Sequence, residues 1–242
     1  MNLIVDVGNT YVKFAIFNFS DLIYKTSFEL NAFAKQYKLL KKEYPKLEKA
    51  IISSVGYLSK DQVAIITKDL NVIELSSDLS FPFKNGYQTP KTLGVDRMAL
   101  VCASVNQFPN KNILIIDAGT CITYDFITKD NHYLGGAISP GLRLRYKALN
   151  NLTANLPLLD NKMPNKMIGD TTESAIHSGV VLGTIKEIDG VIEDYIDQYP
   201  DLTVILTGGD TNFLSNQLKN SIFANSNFLL EGLNYILEYN SK

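Results

Sequence analysis

The sequence predicts an α/β protein built from two copies of one unit, and three observations carry that prediction. Leu3-Ile-Val-Asp-Val-Gly8 reappears as Leu114-Ile-Ile-Asp-Ala-Gly119, a lag of 111 residues. In both halves, short apolar runs of strand type alternate with longer stretches at helical spacing. The length, 242 residues, suits one large domain or two small ones. A lag of 111 residues is too long for a solenoid, whose periods run from about 20 to 50, so it reads as duplication of an α/β unit. The junction is expected near Phe108–Asn112, giving an N-terminal lobe over 1–110 and a C-terminal lobe over 111–242. Each half alone is small, so the pair is expected to pack with a cleft between.

The first 28 residues read as three strands: Leu3 to Asp6, Tyr11 to Phe17 and Leu22 to Phe28, with Val7-Gly8-Asn9-Thr10 as the first turn. Asn31 is placed to cap a helix that Pro45 stops after Tyr44. Its lysines, with Lys46 and Lys49, read as a solvated amphipathic face. Ala50 to Ser54 is a buried strand, followed by a helix near 60–69 and a strand at Val72 to Leu75. After a loop with Pro82, Gly86 and Pro90, a helix runs from about Val95 to Gln107. The pattern then restarts. Ile113 to Asp117, Cys121 to Ile127 and Tyr133 to Ile138 are strands, with Ala118-Gly119-Thr120 as the turn. Asp170 and Glu173, at capping-box spacing, precede a long helix through Tyr199. Thr203 to Thr207 is a strand, Gly208-Gly209-Asp210 opens a helix, and Phe228 to Tyr239 is the last one.

Composition narrows the function classes. A net charge of −2 argues against a polybasic nucleic-acid or membrane binder. No apolar run approaches a membrane span, and the acidic start lacks the basic region of a signal peptide. Cys102 and Cys121 sit in apolar runs and read as reduced core residues of a cytoplasmic protein. His132 reads as a turn residue and His177 as a packing or surface residue; neither has metal-ligand spacing with the cysteines.

Three elements carry chemistry. In the first turn, Asp6 ends a buried strand and Gly8 allows tight turning. Asn9 and Thr10 add backbone N–H groups and short polar side chains, and Lys13 adds charge. Such a turn holds a phosphate by its N–H groups while the carboxylate holds a cation or its water. The plainer alternative is an ordinary hairpin, for which Gly-Asn is a common turn. The second copy, Asp117-Ala-Gly-Thr120, repeats the carboxylate–glycine–hydroxyl set. Two phosphate hairpins, one per lobe, suit the polyphosphate of ATP. Leu206-Thr-Gly-Gly-Asp210 is a strand running into a glycine pair, where a ligand can approach the backbone closely. No P-loop and no Gly-x-Gly-x-x-Gly occurs, which removes the common competing nucleotide folds.

This order resembles the superfamily of acetate kinase, sugar kinases, heat-shock chaperones and actin. It implies two duplicated ribonuclease H-like lobes with a nucleotide cleft between them. Within it, Asp6-Val-Gly-Asn-Thr-Tyr-Val-Lys13 looks like the opening motif of the type III pantothenate kinases, and Gly94-Val-Asp-Arg97 like that family's Gly-x-Asp-Arg motif. Tyr87, Gly135 to Leu142, Thr153 to Pro157, Ile168 to Thr172 and Ser178-Gly179 also match the pattern, in order. The resemblance implies that ATP phosphorylates the primary hydroxyl of pantothenate, the first step of coenzyme A synthesis. It implies ATP contacts at Asp6, Val7, Gly8, Asn9, Thr10, Tyr11, Val12, Lys13 and Thr120. It implies pantothenate contacts at Tyr87, Gly94, Val95, Asp96, Arg97 and Thr172. Asp96 becomes the catalytic base and Asp117 the ligand of a monovalent cation, K+ or NH4+, with Mg2+ accompanying the nucleotide. A homodimer with shared active sites is also implied.

The chemistry agrees with the resemblance. Asp96 falls in the first turn of a helix, where the dipole favours the carboxylate that orients a hydroxyl and takes its proton. Arg97 is suited to an anionic group such as the pantothenate carboxylate. The rival readings make Asp96 a helix cap, Arg97 a surface charge and Thr172 part of a helix start. Over residues 172–199, apolar positions from Ile176 to Ile196 wrap more than one stripe, leaving one for a partner subunit. Another small-molecule kinase of the superfamily is disfavoured by the Tyr87–Arg97 pattern. A non-catalytic transcriptional accessory protein would be expected to lose Asp96, Asp117 or a hairpin glycine, and none is lost.

Overall fold

Apolar residues run unbroken through the first strand because it lies at the centre of a sheet covered on both faces, with Leu3, Ile4 and Val5 fully buried. The computed structural model describes residues 1–8, 11–54 and 58–241. It comprises two units, Met1–Pro109 with Asn227–Lys242, and Asn110–Ser226.

In the first unit, β1 (Asn2–Val7), β2 (Val12–Asn18) and β3 (Asp21–Phe28) form an antiparallel meander. Helix α1 (Phe33–Glu43) leads to β4 (Lys49–Ser54), parallel to β1. Helix α2 (Lys60–Thr67) and β5 (Asn71–Glu74) repeat the crossover, so the strand order is β3-β2-β1-β4-β5. A short strand β6 (Lys84–Asn85) and helix α3 (Val95–Gln107) follow. Alternation along β1 divides the core. Leu3, Val5 and Val7 pack with Phe14, Phe33, Tyr37 and Leu40 on one face. Ile4 packs with Ala15, Phe17, Ala99 and Cys102 on the other.

In the second unit, β7 (Ile113–Ala118), β8 (Cys121–Ile127) and β9 (His132–Pro140) form the second meander. Helices α4 (Leu142–Leu152) and α5 (Thr172–His177), a π-helical turn at Ser178–Leu182, and α6 (Gly183–Gln198) follow. Strand β10 (Thr203–Thr207) returns parallel to β7, and after α7 (Thr211–Leu214), β11 (Phe223–Ala224) pairs parallel with β10. These strands run β11-β10-β7-β8-β9, the first unit's arrangement over again. The duplication read from the 111-residue lag is therefore expressed in strand order as well as in sequence.

The last helix, α8 (Phe228–Tyr239), belongs to the first unit, not to the lobe expected over 111–242. Leu233, Ile236 and Leu237 join the Ile4 face of the first core. Gly232 permits this docking, because a Cβ there would lie 2.1 Å from the Ala99 carbonyl oxygen.

Other expectations need correcting. Asn31 caps nothing: it sits in a 3-10 turn at Leu30–Ala32, and Ala32 is the N-cap of α1. The long helix is capped by Thr171, whose side chain accepts from the Ser174 N–H, and not by Asp170 with Glu173. Gly208-Gly209-Asp210 opens only one helical turn. Helix α4 was not expected, although Leu142, Tyr146 and Leu149 fall on its apolar face. Cys121 is exposed, because β8 begins there at the hairpin end, whereas Cys102 is buried as expected. Ile176, Val180, Val181, Ile185, Ile188 and Ile192 are all buried in their own unit's core. The α5–α6 run therefore leaves little apolar stripe for a partner; only Ile196 is substantially exposed.

Candidate active site

The first hairpin is built by β1 and β2, in which Asp6 stands directly opposite Lys13. The Asp6 carboxylate is buried and Lys13 Nζ donates to its Oδ2 at 3.2 Å, while the lysine remains half exposed. The hairpin thus carries its own counter-charge. The Gly8 N–H donates to the Tyr11 carbonyl at 3.0 Å. A Cβ on Gly8 would lie 3.2 Å from that carbonyl oxygen, tighter than ordinary contact. Val7 and Val12 are buried across from one another, and Tyr11 is exposed at the turn. Asn9 and Thr10 lie outside the described residues.

The second hairpin repeats the carboxylate and glycine with a turn one residue shorter and different chemistry. Asp117, the penultimate residue of β7, is half-buried, and the residue opposite it on β8 is Thr123 instead of a lysine. The Gly119 N–H donates to the Cys121 carbonyl at 2.9 Å, the counterpart of the Gly8 bond. Thr120 is exposed at the tip. Two neighbouring glycines fit this hairpin into its unit. The Gly141 N–H donates to the Thr120 carbonyl at 3.0 Å, and a Cβ on Gly141 would sit 2.0 Å from the Gly119 carbonyl oxygen. Gly208, at φ +97, would bring a Cβ within 2.3 Å of both the Ala118 carbonyl and Asp117 Oδ1. Only glycine meets both demands at position 208.

The turn after Gly208 is pinned by the Asp210 N–H to the Ala118 carbonyl (2.9 Å) and by Thr211 Oγ1 to the Gly208 carbonyl (2.7 Å). Burial pushes the Asp210 carboxyl upward. Asp210 lines a cavity of about 290 Å³ with Arg143, Leu158, Leu159, Asp160 and Asn161.

The Gly-x-Asp-Arg segment forms the head of α3. Gly94 is the N-cap, so Asp96 is not a cap, and its Oδ1 accepts from the Arg97 N–H at 2.9 Å. A Cβ on Gly94 would lie 2.5 Å from that same Oδ1, so a side chain there would displace the carboxylate from this position. Arg97 is buried and not a surface charge, with its guanidinium carbon 5.7 Å from the Tyr87 ring centroid. Tyr87 is itself set by an Asx turn in which its N–H donates to Asn85 Oδ1 at 2.9 Å. Tyr87, Gly94, Val95, Asp96 and Arg97 are thereby gathered in one corner of the first unit.

Thr172 is exposed at the first helical position of α5, just after the capping Thr171. His177 is buried, with Nδ1 2.8 Å from the Tyr146 hydroxyl, which makes it a packing residue. Sequence reasoning passed over a polar network on the second unit that joins Tyr124, Ser139, Arg145 and Glu187. No local spacing announces it, because Arg145 and Glu187 lie 42 residues apart. Among the described residues no cluster of three or more His, Cys, Asp or Glu is placed to hold a metal ion. No helix among them is long and apolar enough to cross a membrane.

A sequence model of the type III pantothenate kinases matches residues 2–194. The chain is 53% identical to the type III pantothenate kinase of Christiangramia forsetii, covering 99% of each chain. Among solved structures, it is similar to a glucokinase from an Antarctic psychrotroph, at a TM-score of 0.52, 13% identity and 98% of each chain. A Campylobacter jejuni protein named for the Baf family of transcriptional activators gives a TM-score of 0.65, at 24% identity over 98% of each chain. These two structural likenesses speak to the fold alone. The family model and the near-complete alignment speak to descent: the chain belongs to the type III pantothenate kinase family.

Proposed function

We propose that this chain runs its family's reaction, ATP-dependent phosphorylation of pantothenate, with Asp96 as the group that accepts the hydroxyl proton. The observation that carries the reading is the Gly94–Arg97 corner. It holds a carboxylate oxygen against a backbone N–H in the first turn of α3, beside a buried arginine stacked on Tyr87. The helix dipole favours the ionised carboxylate there. An ionised Asp96 orients the primary hydroxyl of pantothenate and takes its proton as the oxygen–phosphorus bond forms and the bond to the ADP leaving group breaks. The products are 4′-phosphopantothenate and ADP. Arg97 is the partner for the pantothenate carboxylate, with Tyr87, Gly94, Val95 and Thr172 completing the pocket.

ATP is held by Asp6 to Lys13 in the first unit and by Thr120 in the second, through backbone N–H groups and the Lys13 charge. The Gly208–Gly209 turn, with the cavity lined by Asp210 and Asn161, is the candidate adenosine side. Magnesium, bound with the nucleotide, neutralises phosphate charge. A carboxylate oxygen of Asp117 suits a hard monovalent cation, and Thr123 opposite supports the reading, since it stands where the first hairpin has a lysine. Potassium or ammonium held by Asp117 would supply positive charge beside the phosphates. The homodimer rests on the family resemblance, and exposed Leu152, Met167 and Ile168 are candidate contacts for it. The reaction draws on ATP and feeds coenzyme A synthesis, which assigns the enzyme to the cytoplasm.

The test is a coupled ADP-release assay with pantothenate in potassium or sodium buffer. Turnover that needs both pantothenate and potassium is expected. Turnover only with glucose or acetate would overturn the assignment, and full activity in sodium alone would remove the cation role. Mixing Asp96→Asn subunits with Thr172→Ala subunits should restore activity if each site draws Thr172 from the partner copy.

A further inference from the structure

The polar network of the second unit has a property its constituent contacts do not share singly: it ends on the backbone that supports the second hairpin. Glu187 of α6 accepts from three groups on three other elements. Tyr124 of β8 donates its hydroxyl to Oε1 at 2.9 Å, and Ser139 of β9 donates to the same oxygen at 2.6 Å. Arg145 of α4 reaches Oε2 at 2.5 Å through Nη2, and its Nε donates to the Pro140 carbonyl at 2.7 Å. The next residue, Gly141, donates its N–H to the Thr120 carbonyl and passes against Gly119 too closely for any side chain. Glu187 and Arg145 are both partly shielded, at 29% and 23% side-chain exposure, so their pairing is stronger than that of a surface pair. Burial raises the Glu187 carboxyl, but the hydrogen bonds from Ser139, Arg145 and Tyr124 outweigh it and hold the group below the usual carboxylate range. The group is therefore ionised at neutral pH and fully engaged as an acceptor.

We propose that Glu187, through Arg145 and Ser139, is a positioning residue for catalysis: it locks the Ser139–Gly141 backbone against Gly119–Thr120 and so sets the second hairpin for phosphate. The inference rests on the reading of that hairpin as a phosphate site. The carboxylate touches no substrate. It acts by fixing the strand end that supports the hairpin tip, where small displacements are costly to phosphoryl transfer.

Two variants test it with little change of volume. Glu187→Gln keeps an acceptor for Tyr124 and Ser139 but removes the charge that holds Arg145. Arg145→Lys keeps the charge but loses the fork that spans Glu187 and the Pro140 carbonyl. Each is expected to raise the KM for ATP about tenfold and leave the KM for pantothenate within about twofold. Glu187→Asp, which restores the charge on a shorter arm, should recover part of the loss. A network that only stabilises the fold would lower the melting temperature and leave the KM for ATP unmoved. An unchanged KM for ATP in both folded variants overturns the proposal, as does failure of both to fold. Gly119→Val, measured alongside, separates the two layers. If it weakens ATP while Glu187→Gln and Arg145→Lys do not, the positioning role fails and the phosphate reading stands. If it leaves ATP affinity intact, the phosphate reading itself falls and takes the proposal with it.

Discussion

The two hairpins share a carboxylate two residues before a glycine and differ in the residue that faces the carboxylate across the strand pair. Asp6 faces Lys13, and the pair forms an ion pair inside the first hairpin. Asp117 faces Thr123, which donates instead to the fully buried Asp125 at 3.1 Å. A carboxylate and an ammonium in adjacent strands neutralise one another, so the first hairpin carries its counter-charge across the strand pair, with the lysine half exposed. The second has threonine opposite its carboxylate, and its turn is one residue shorter, Ala118 facing Ile122 where Val7 faces Val12. Duplication thus kept the carboxylate and the glycine of the turn, while turn length and the residue facing the carboxylate diverged. In the proposed function, the first hairpin brings a lysine to the phosphates and the second recruits a monovalent cation beside Asp117.

The largest expected effect tests this contrast from outside both hairpins. Asp96→Asn leaves them untouched, so ATP affinity should hold while kcat falls by at least ~10²-fold, the low end for a positioned base. Because Gly94 is the cap and the asparagine can still accept from the Arg97 N–H, the melting temperature should barely move. Survival of kcat within about threefold would mean the proton acceptor lies elsewhere.

Next is removal of the second carboxylate. Asp117→Ala should cost roughly 30-fold or more in kcat/KM and abolish the difference between potassium and sodium buffers, with the oligomeric state unchanged by sedimentation. The same loss with potassium dependence intact would break the contrast, because the cation would then be held elsewhere.

A transplant sharpens it further. Thr123→Lys copies the Asp6–Lys13 pairing into the second hairpin. Activity in sodium buffer should rise to within about threefold of that in potassium buffer, at a stability cost of about 1 kcal/mol for the lost hydrogen bond to Asp125. Undiminished potassium stimulation in this variant would show that the opposite position does not govern cation use.

The smallest expected effect concerns space. Alanine at Gly8 meets the Tyr11 carbonyl oxygen at 3.2 Å, whereas alanine at Gly119 meets nothing closer than 3.9 Å. Gly8→Ala should therefore destabilise the protein by about 1 kcal/mol more than Gly119→Ala in urea unfolding. Equal stabilities would mean the first turn relaxes freely, and that its tight geometry is not intrinsic.

The sequence by itself determined the longer strands and the duplication, and it nominated the residues of the site. Apolar runs such as Leu3 to Val5 and Ile113 to Ile116 become central strands because both faces are covered, and local pattern is enough to identify them. Thr203–Thr207 and Phe228–Tyr239 fell on their observed bounds for the same reason. Helix α4 was equally legible through Leu142, Tyr146 and Leu149 and was obscured by reading its first residues as part of a motif. What only tertiary structure decided involves partners far apart in the chain. Local pattern could not show that α8 closes the first unit, since its docking depends on Gly232 meeting Ala99. Nor could it show that Arg97 is buried beside Tyr87, or that Gly208 is required by Asp117 and Ala118. The Glu187 network is the extreme case: its bonds span 42 to 63 residues, and no periodicity encodes a contact that exists only once β8, β9, α4 and α6 have packed.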